Sequence, residues 1–268
     1  KPFILHRYSA GIPEFPFVKE VKEHTKHFVS TSVFGNQDDT IDISKVIYVS
    51  KHVQWMAGQQ DSENHYVVRN PIEAPYSTEN LREELNIPQD AFVFGRIGRD
   101  DKNIYDPINI EAYAKVANSN TYFVIVNPSN RCRSDIKRLN IKNARFIEPT
   151  ISEVRLSQFY NTLDVLAHAR KDGECNPANV WEAFAHGKPA ISHYAHPFNG
   201  HIEVIRDCGF VVLKDDVDEY ARIMKKFIDK EVDYFKLSEK CINNWSITCT
   251  PDIVGNIQLE IYKELLNG

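Results

Sequence analysis

The sequence predicts an α/β fold built on a doubly wound parallel sheet, and three observations predict it. From Phe92 onward, short apolar runs alternate with helical patterns, the spacing expected of parallel strands joined by helices. One of those helices is bracketed by Pro177 at its start and Gly187 just past its end, the asymmetry helices prefer. Another begins at a capping box, Thr150-Ile151-Ser152-Glu153, in which a hydroxyl and a carboxylate satisfy the first unpaired amides.

Taken in order, the chain opens with Phe3-Ile4-Leu5-His6, a strand pattern, and further strand candidates lie at 27–30, 46–50 and 66–69. Few long helices separate them. "RNPIEAPYSTEN" (69–80) is polar, proline-rich and turn-like, as a linker would be. Beyond it the predicted strands are 92–96, 122–127, 144–148, 164–168, 189–193 and 209–213. The helical patterns between them are 107–119, 134–140, 151–163, 177–187 and 202–208. The tail from Asp216 to Leu266 reads as two or three amphipathic helices, "DIVGNIQLEIYKELL" among them. This divides the chain into a first domain over 1–72, a nucleotide-binding type of sheet over 73–246, and a helix over 247–268 expected to pack back on the first part.

Composition narrows the function. The 268 residues are 42% hydrophobic and 26% charged, as in ordinary globular chains. A net charge of −5 argues against a nucleic-acid binder, which would carry a basic excess. Cys132, Cys175, Cys208, Cys241 and Cys249 show no Cys-x-x-Cys spacing, and a reducing, cytoplasmic setting is expected. No apolar run approaches the length of a membrane span, which is roughly 18 residues or more.

The densest chemical signal is a pair of glutamates eight residues apart, Glu174 and Glu182. Glu174 stands in the loop after the strand at 164–168, and Glu182 on the helix that follows it. In open parallel sheets, ligands bind outside the carboxyl ends of the strands, where Glu174 would lie. The helix start at Asn176 to Val180 would point amide N–H groups at the same place, a favourable setting for an anion. Five of the ten histidines fall between His168 and His201. His193 and His196 with Asp172 or Glu174 could be drawn as a zinc site, but no His-Glu-x-x-His spacing supports it, so no metal is expected.

The segment from Gly173 to Ser192, with "EAFAHGKPAIS" at its end, resembles the E-x7-E signature of retaining glycosyltransferases of the GT-B fold, family 4 type. Further pieces are similar: "KVIYVSKHV" (45–53) with Ser50, "VVRNPIE" (67–73) with Asn70, "FVFGRIGRDDKN" (92–103), and "HPFNGHIEV" (196–204) with Gly200 and Glu203. The resemblance runs from about residue 45 to residue 214. It implies a Rossmann-like donor domain with a partial acceptor domain ahead of it. Whole members carry more chain before the equivalent of His6, so a fragment is expected, lacking roughly the first hundred residues, about the size of a small domain.

By that resemblance the donor is a nucleotide-diphosphate sugar, and no cofactor or metal is involved. The acceptor is a glycan, a lipid-linked or a small molecule, with peripheral membrane contact through the missing front part. Arg96 and Lys102 would hold the diphosphate, Glu182 the ribose hydroxyls and Glu174 the hexose hydroxyls. Asn176, Pro177, Ala178, Asn179 and Val180 would supply the helix start, and His6 would face the acceptor. Family members usually have Phe-Gly after the first glutamate, where this chain has Cys175-Asn176, and a serine where it has Arg170. A binding module that works only with a partner chain, or an epimerase of the same fold, are the rival readings.

Overall fold

Six parallel strands form from the apolar runs that follow Phe92. In the computed structural model, which describes residues 3–10, 23–36, 43–60, 62–101 and 103–267, these strands are β5 (Phe92–Ile97), β6 (Thr121–Val126), β7 (Ala144–Ile147), β8 (Val165–Ala167), β10 (Ala190–His193) and β12 (Gly209–Val212). Their order in the sheet is β12-β10-β8-β5-β6-β7. The chain therefore works outward from β5 through β6 and β7, then returns to the other side of β5 for β8, β10 and β12. That reversal between β5 and β8 makes the switch point at which open sheets bind ligands. The predicted fold class, a doubly wound parallel α/β sheet, is what the structure shows.

Two compact units divide the chain, Glu73–Ile247 and Lys1–Ile72 with Thr248–Gly268. In the first, the core lies against α2 (Ile108–Val116) and α7 (Val217–Ile228), where Phe94, Tyr113 and Phe123 meet edge to face. Each is buried, which favours the fold by about 1.5–3 kcal/mol per large apolar side chain. Asp164 joins the start of β8 to β5, its Oδ2 accepting from the Val93 amide at 2.7 Å and from Arg82 at 3.1 Å.

Local chemistry moves several boundaries. Helix α3 (Asn130–Arg138) starts earlier than its apolar pattern suggests, because the Ser129 hydroxyl caps it by accepting from the Cys132 amide. Helix α4 (Glu153–Thr162) is capped by Ser152, accepting from the Arg155 amide, and not by Thr150, whose hydroxyl instead accepts from Ser152 N–H. Helix α5 (Ala178–Ala185) ends at Gly187, whose φ of +67° is the left-handed turn glycine adopts without strain. A short helix α6 (Gly200–Ile205) follows β11 (Phe198–Asn199), which pairs in parallel with β9 (Gly173–Glu174). All five cysteines are buried, and none forms a disulfide.

The other unit holds a second parallel sheet, ordered β1 (Ile4–Ser9), β2 (His27–Ser32), β3 (Lys45–Tyr48), β4 (His65–Val67). Ser50, read from sequence as a strand-end serine, caps a helix α1 (Lys51–Met56) by accepting from Val53 N–H at 3.1 Å. Helices α8 (Tyr234–Thr248) and α9 (Pro251–Asn267) end the chain. Among the described residues, no helix is long and apolar enough to cross a membrane.

Candidate functional site

A cavity of about 380 Å³ opens at the carboxyl ends of β5, β6 and β8. Ile97, Gly98 and Arg99 enter it from the end of β5, Val126 and Asn127 from β6, Pro149 and Thr150 from the approach to α4, and Leu156 from α4 itself. Arg170, Glu174, Asn176, Ala178, Asn179 and Glu182 complete it from the segment between β8 and α5 and from α5 itself. Asn127, in a left-handed conformation at φ +53°, ties two of these strand ends by donating from Nδ2 to Gly98 O at 3.2 Å.

Glu174 and Glu182 thus face one cavity from different elements. Glu174 sits on β9, which can exist only because residue 173 is glycine. Its φ is +69°, and a Cβ there would lie 1.7 Å from Phe198 O on the paired strand. The Glu174 amide donates to His201 Nδ1 at 3.3 Å, which fixes that nitrogen as the acceptor and leaves His201 Nε2–H to donate to His193 O at 3.0 Å. Burial pushes the His201 imidazole down to about 3, so it stays neutral. Glu174 Oε1 lies 3.4 Å from His168 Nε2 and 3.6 Å from Arg170.

Glu182 is held differently. Its Oε2 accepts from the Tyr160 hydroxyl at 2.6 Å, leaving Oε1 for the cavity. Burial raises the Glu182 carboxyl above the ordinary range, and the Tyr160 hydrogen bond opposes this only in part. One carboxylate is therefore an acceptor anchored by a buried phenol and the other an acceptor beside a guanidinium. Both suit neutral hydroxyl groups, and Arg99 and Arg170 suit anionic oxygens.

The other predicted residues scatter. Asn176, Ala178 and Asn179 line the cavity, and Asn176 Oδ1 accepts from Trp181 Nε1 at 3.3 Å. Pro177 is buried at the helix start and Val180 is wholly buried, its amide already donating to Pro177 O. First-turn donors for a ligand are therefore those of Ala178 and Asn179, not of the whole run to Val180. Arg96, expected at the diphosphate, does not reach the cavity. Strand alternation puts it on the same face as Phe94, and its guanidinium donates to Asp106 O at 2.7 Å and Asn109 Oδ1 at 3.3 Å over the Tyr105 ring. Lys102 lies outside the described residues. His6, in the other unit, is engaged at both ring nitrogens. Nδ1 meets the Tyr262 hydroxyl at 2.6 Å and Gln258 at 2.9 Å, and Nε2 meets the Thr31 hydroxyl at 2.7 Å.

His168, His193 and His201 lie close together, the rings of His168 and His201 5.2 Å apart, and hydrogen bonds engage their ring nitrogens. His193 Nε2 accepts from the Arg170 amide at 3.3 Å while Nδ1–H donates to Tyr194 O. His168 Nδ1 pairs with Ser192 at 2.8 Å. Among the described residues, no three His, Cys, Asp or Glu side chains are grouped to hold an ion. Arg99, Arg170 and Asn127 also line the cavity and Tyr160 anchors Glu182, none of them singled out by the sequence pattern. The available signal was position: Arg99 and Arg170 each stand within a few residues of a strand's carboxyl end.

The family model for glycosyl transferases group 1 matches residues 77–246. No curated protein matches the chain. Among solved structures, a glycosyltransferase from Rickettsia africae ESF-5 is 18% identical, with a TM-score of 0.79 over 98% of this chain and 77% of that one. Anabaena Alr3699/HepE, solved with UDP and glucose, is 18% identical, with a TM-score of 0.71 over 90% of this chain and 72% of that one. Sucrose-phosphate synthase (tll1590) from Thermosynechococcus elongatus is 15% identical, with a TM-score of 0.74 over 98% and 74% of the respective chains. At these identities the structural likeness shows the GT-B fold.

Proposed function

Since the chain belongs to the glycosyl transferases group 1 family, we propose that it moves a sugar from a nucleotide-diphosphate sugar to an acceptor hydroxyl with retention at the anomeric carbon. The observation that carries this is the meeting of Glu174 and Glu182 in one cavity with Arg99 and Arg170. Anabaena HepE, of like fold, was solved with UDP-glucose, which supports the donor class. In this reading Glu182 accepts from the ribose hydroxyls and Glu174 from those of the hexose. The bond from the anomeric carbon to the phosphate oxygen breaks as negative charge grows on the diphosphate. Fixed positive groups there favour the transition state over the ground state. The acceptor oxygen bonds the same carbon from the same face, and its proton passes to the departing phosphate.

Positive charge in this site comes from guanidinium groups and the start of α5, so turnover is expected to persist in chelator. The assay follows nucleoside diphosphate released from a panel of nucleotide sugars, with and without EDTA. Activity lost in EDTA and restored by zinc or manganese would refute the metal-free reading. Failure of every nucleotide sugar to bind would refute the donor assignment itself.

The raised carboxyl of Glu182 gives a pH signature. The ionised form accepts hydroxyl hydrogen bonds more strongly than the neutral acid, so nucleoside binding is expected to weaken as pH falls through the folded-state pKa of Glu182. That pKa lies above the ordinary glutamate range, so the loss should begin at higher pH than for a solvated carboxylate. For stability the sign is opposite. A carboxyl raised by folding contributes below its unfolded pKa, and that contribution is lost as pH rises through the folded value. Titration of nucleoside affinity by calorimetry checks this, and an affinity flat into the ordinary glutamate range would contradict it.

A further inference from the structure

We propose that Arg170 holds the anionic oxygens of the donor's diphosphate and that Asp172 is the tether that aims it. This rests on the nucleotide-sugar reading above. Arg170 follows β8 at the switch point and lines the cavity, its side chain 20% exposed. Its Nε and NH2 groups donate to the two oxygens of Asp172 at 2.6 and 2.9 Å, a bidentate grip on one edge of the guanidinium. That grip uses two of five N–H donors. NH1 stands 3.6 Å from Glu174 Oε1, beyond hydrogen-bond distance. The edge away from Asp172 therefore keeps donors for a ligand while the side chain is already fixed in place.

The loop beneath it is fastened as well. Arg170 N–H donates to His193 Nε2, and the Arg170 backbone forms an antiparallel bridge with Tyr105. Burial alone would raise the Asp172 carboxyl, but the Arg170 guanidinium more than offsets it and holds it below the usual range, so the tether persists through neutral pH. Two further facts favour this arginine. Arg96 spends its guanidinium on Asp106, Asn109 and Tyr105 inside the core. Arg170 also adjoins Glu174, the residue assigned to the sugar, and the group that grips the diphosphate must adjoin the one that grips the sugar because a single bond joins the two.

The test is calorimetry of wild type, Arg170→Ser, Arg170→Lys and Asp172→Asn against the tightest binder of UDP, GDP and ADP and against its nucleoside. Arg170→Ser is expected to weaken the diphosphate roughly ten- to a hundredfold while leaving the nucleoside unchanged. Arg170→Lys keeps the charge but not the fork, and Asp172→Asn loosens the tether, so both should fall between. Wild-type affinity for both ligands in Arg170→Ser overturns the assignment alone, as does equal loss of both, which marks a merely structural role. Absence of diphosphate binding in the wild type overturns the nucleotide-sugar reading and this inference with it.

Discussion

Glu182→Ala is expected to weaken nucleoside diphosphate and nucleotide sugar alike, whereas Glu174→Ala is expected to weaken only the nucleotide sugar. A hydroxyl hydrogen bond to a charged acceptor is worth about 1.5–3 kcal/mol, which corresponds to roughly ten- to a hundredfold in affinity. The two carboxylates are separable because different elements carry them, Glu174 on β9 and Glu182 on α5. Removing Glu182 also strands the buried Tyr160 hydroxyl that donates to it, and an unpaired buried group costs about 1–3 kcal/mol of stability. Glu182→Gln is the cleaner companion, since its amide oxygen still accepts from Tyr160 while the charge is gone. Calorimetry with both ligands decides the matter. If each variant binds both ligands like wild type, the glutamate pair belongs to an ordinary strand-loop-helix unit and the donor site lies elsewhere.

Much of the fold was legible because buried parallel strands read as continuous apolar runs. All six runs after Phe92 fall on β5, β6, β7, β8, β10 and β12. Helix starts were less legible. Ser129 and Ser152 each cap a helix, yet a lone serine also occurs in any polar loop. The two-residue strands β9 and β11 carry no period at all, so nothing in sequence announces them. The site was partly legible for a related reason. Spacing and context could bring Glu174 and Glu182 to one sheet edge, because that follows from strand-helix connectivity. Which way Arg96 points depends on strand alternation relative to α2, and a one-residue change of register would reverse it. Arg170 looked like a departure from a familiar serine. Only the positions of Asp172, Glu174 and the cavity wall turn it into an oriented cation.

Gly173→Ala is expected to be the most damaging single-methyl change near the cavity. Residue 173 combines two requirements that an alanine cannot meet together. Its φ of +69° costs an L-residue about 1–2 kcal/mol on conformation alone. Its Cβ would also fall 1.7 Å from Phe198 O, 2.8 Å from Phe198 C and 3.0 Å from the Ala195 side chain. The nearest of these atoms are backbone, so relief requires β9 and β11 to part, with loss of the register Gly173↔Phe198 and Asn199↔Glu174. Loss of about 3 kcal/mol or more is expected, in the range reserved for backbone strain and broken buried networks. Glu174 moves with its strand, so affinity for the nucleotide sugar should fall with stability, while nucleoside affinity, set by Glu182 on α5, should be retained in the fraction that folds. Gly255→Ala is the control. It lies exposed on α9 with nothing within 4 Å of the added methyl, and alanine there should stabilise the helix by about 0.5–1 kcal/mol. Thermal melts and calorimetry on both variants check the pair. A Gly173→Ala protein that melts and binds like wild type would show that β9 and β11 are not what holds Glu174 at the cavity.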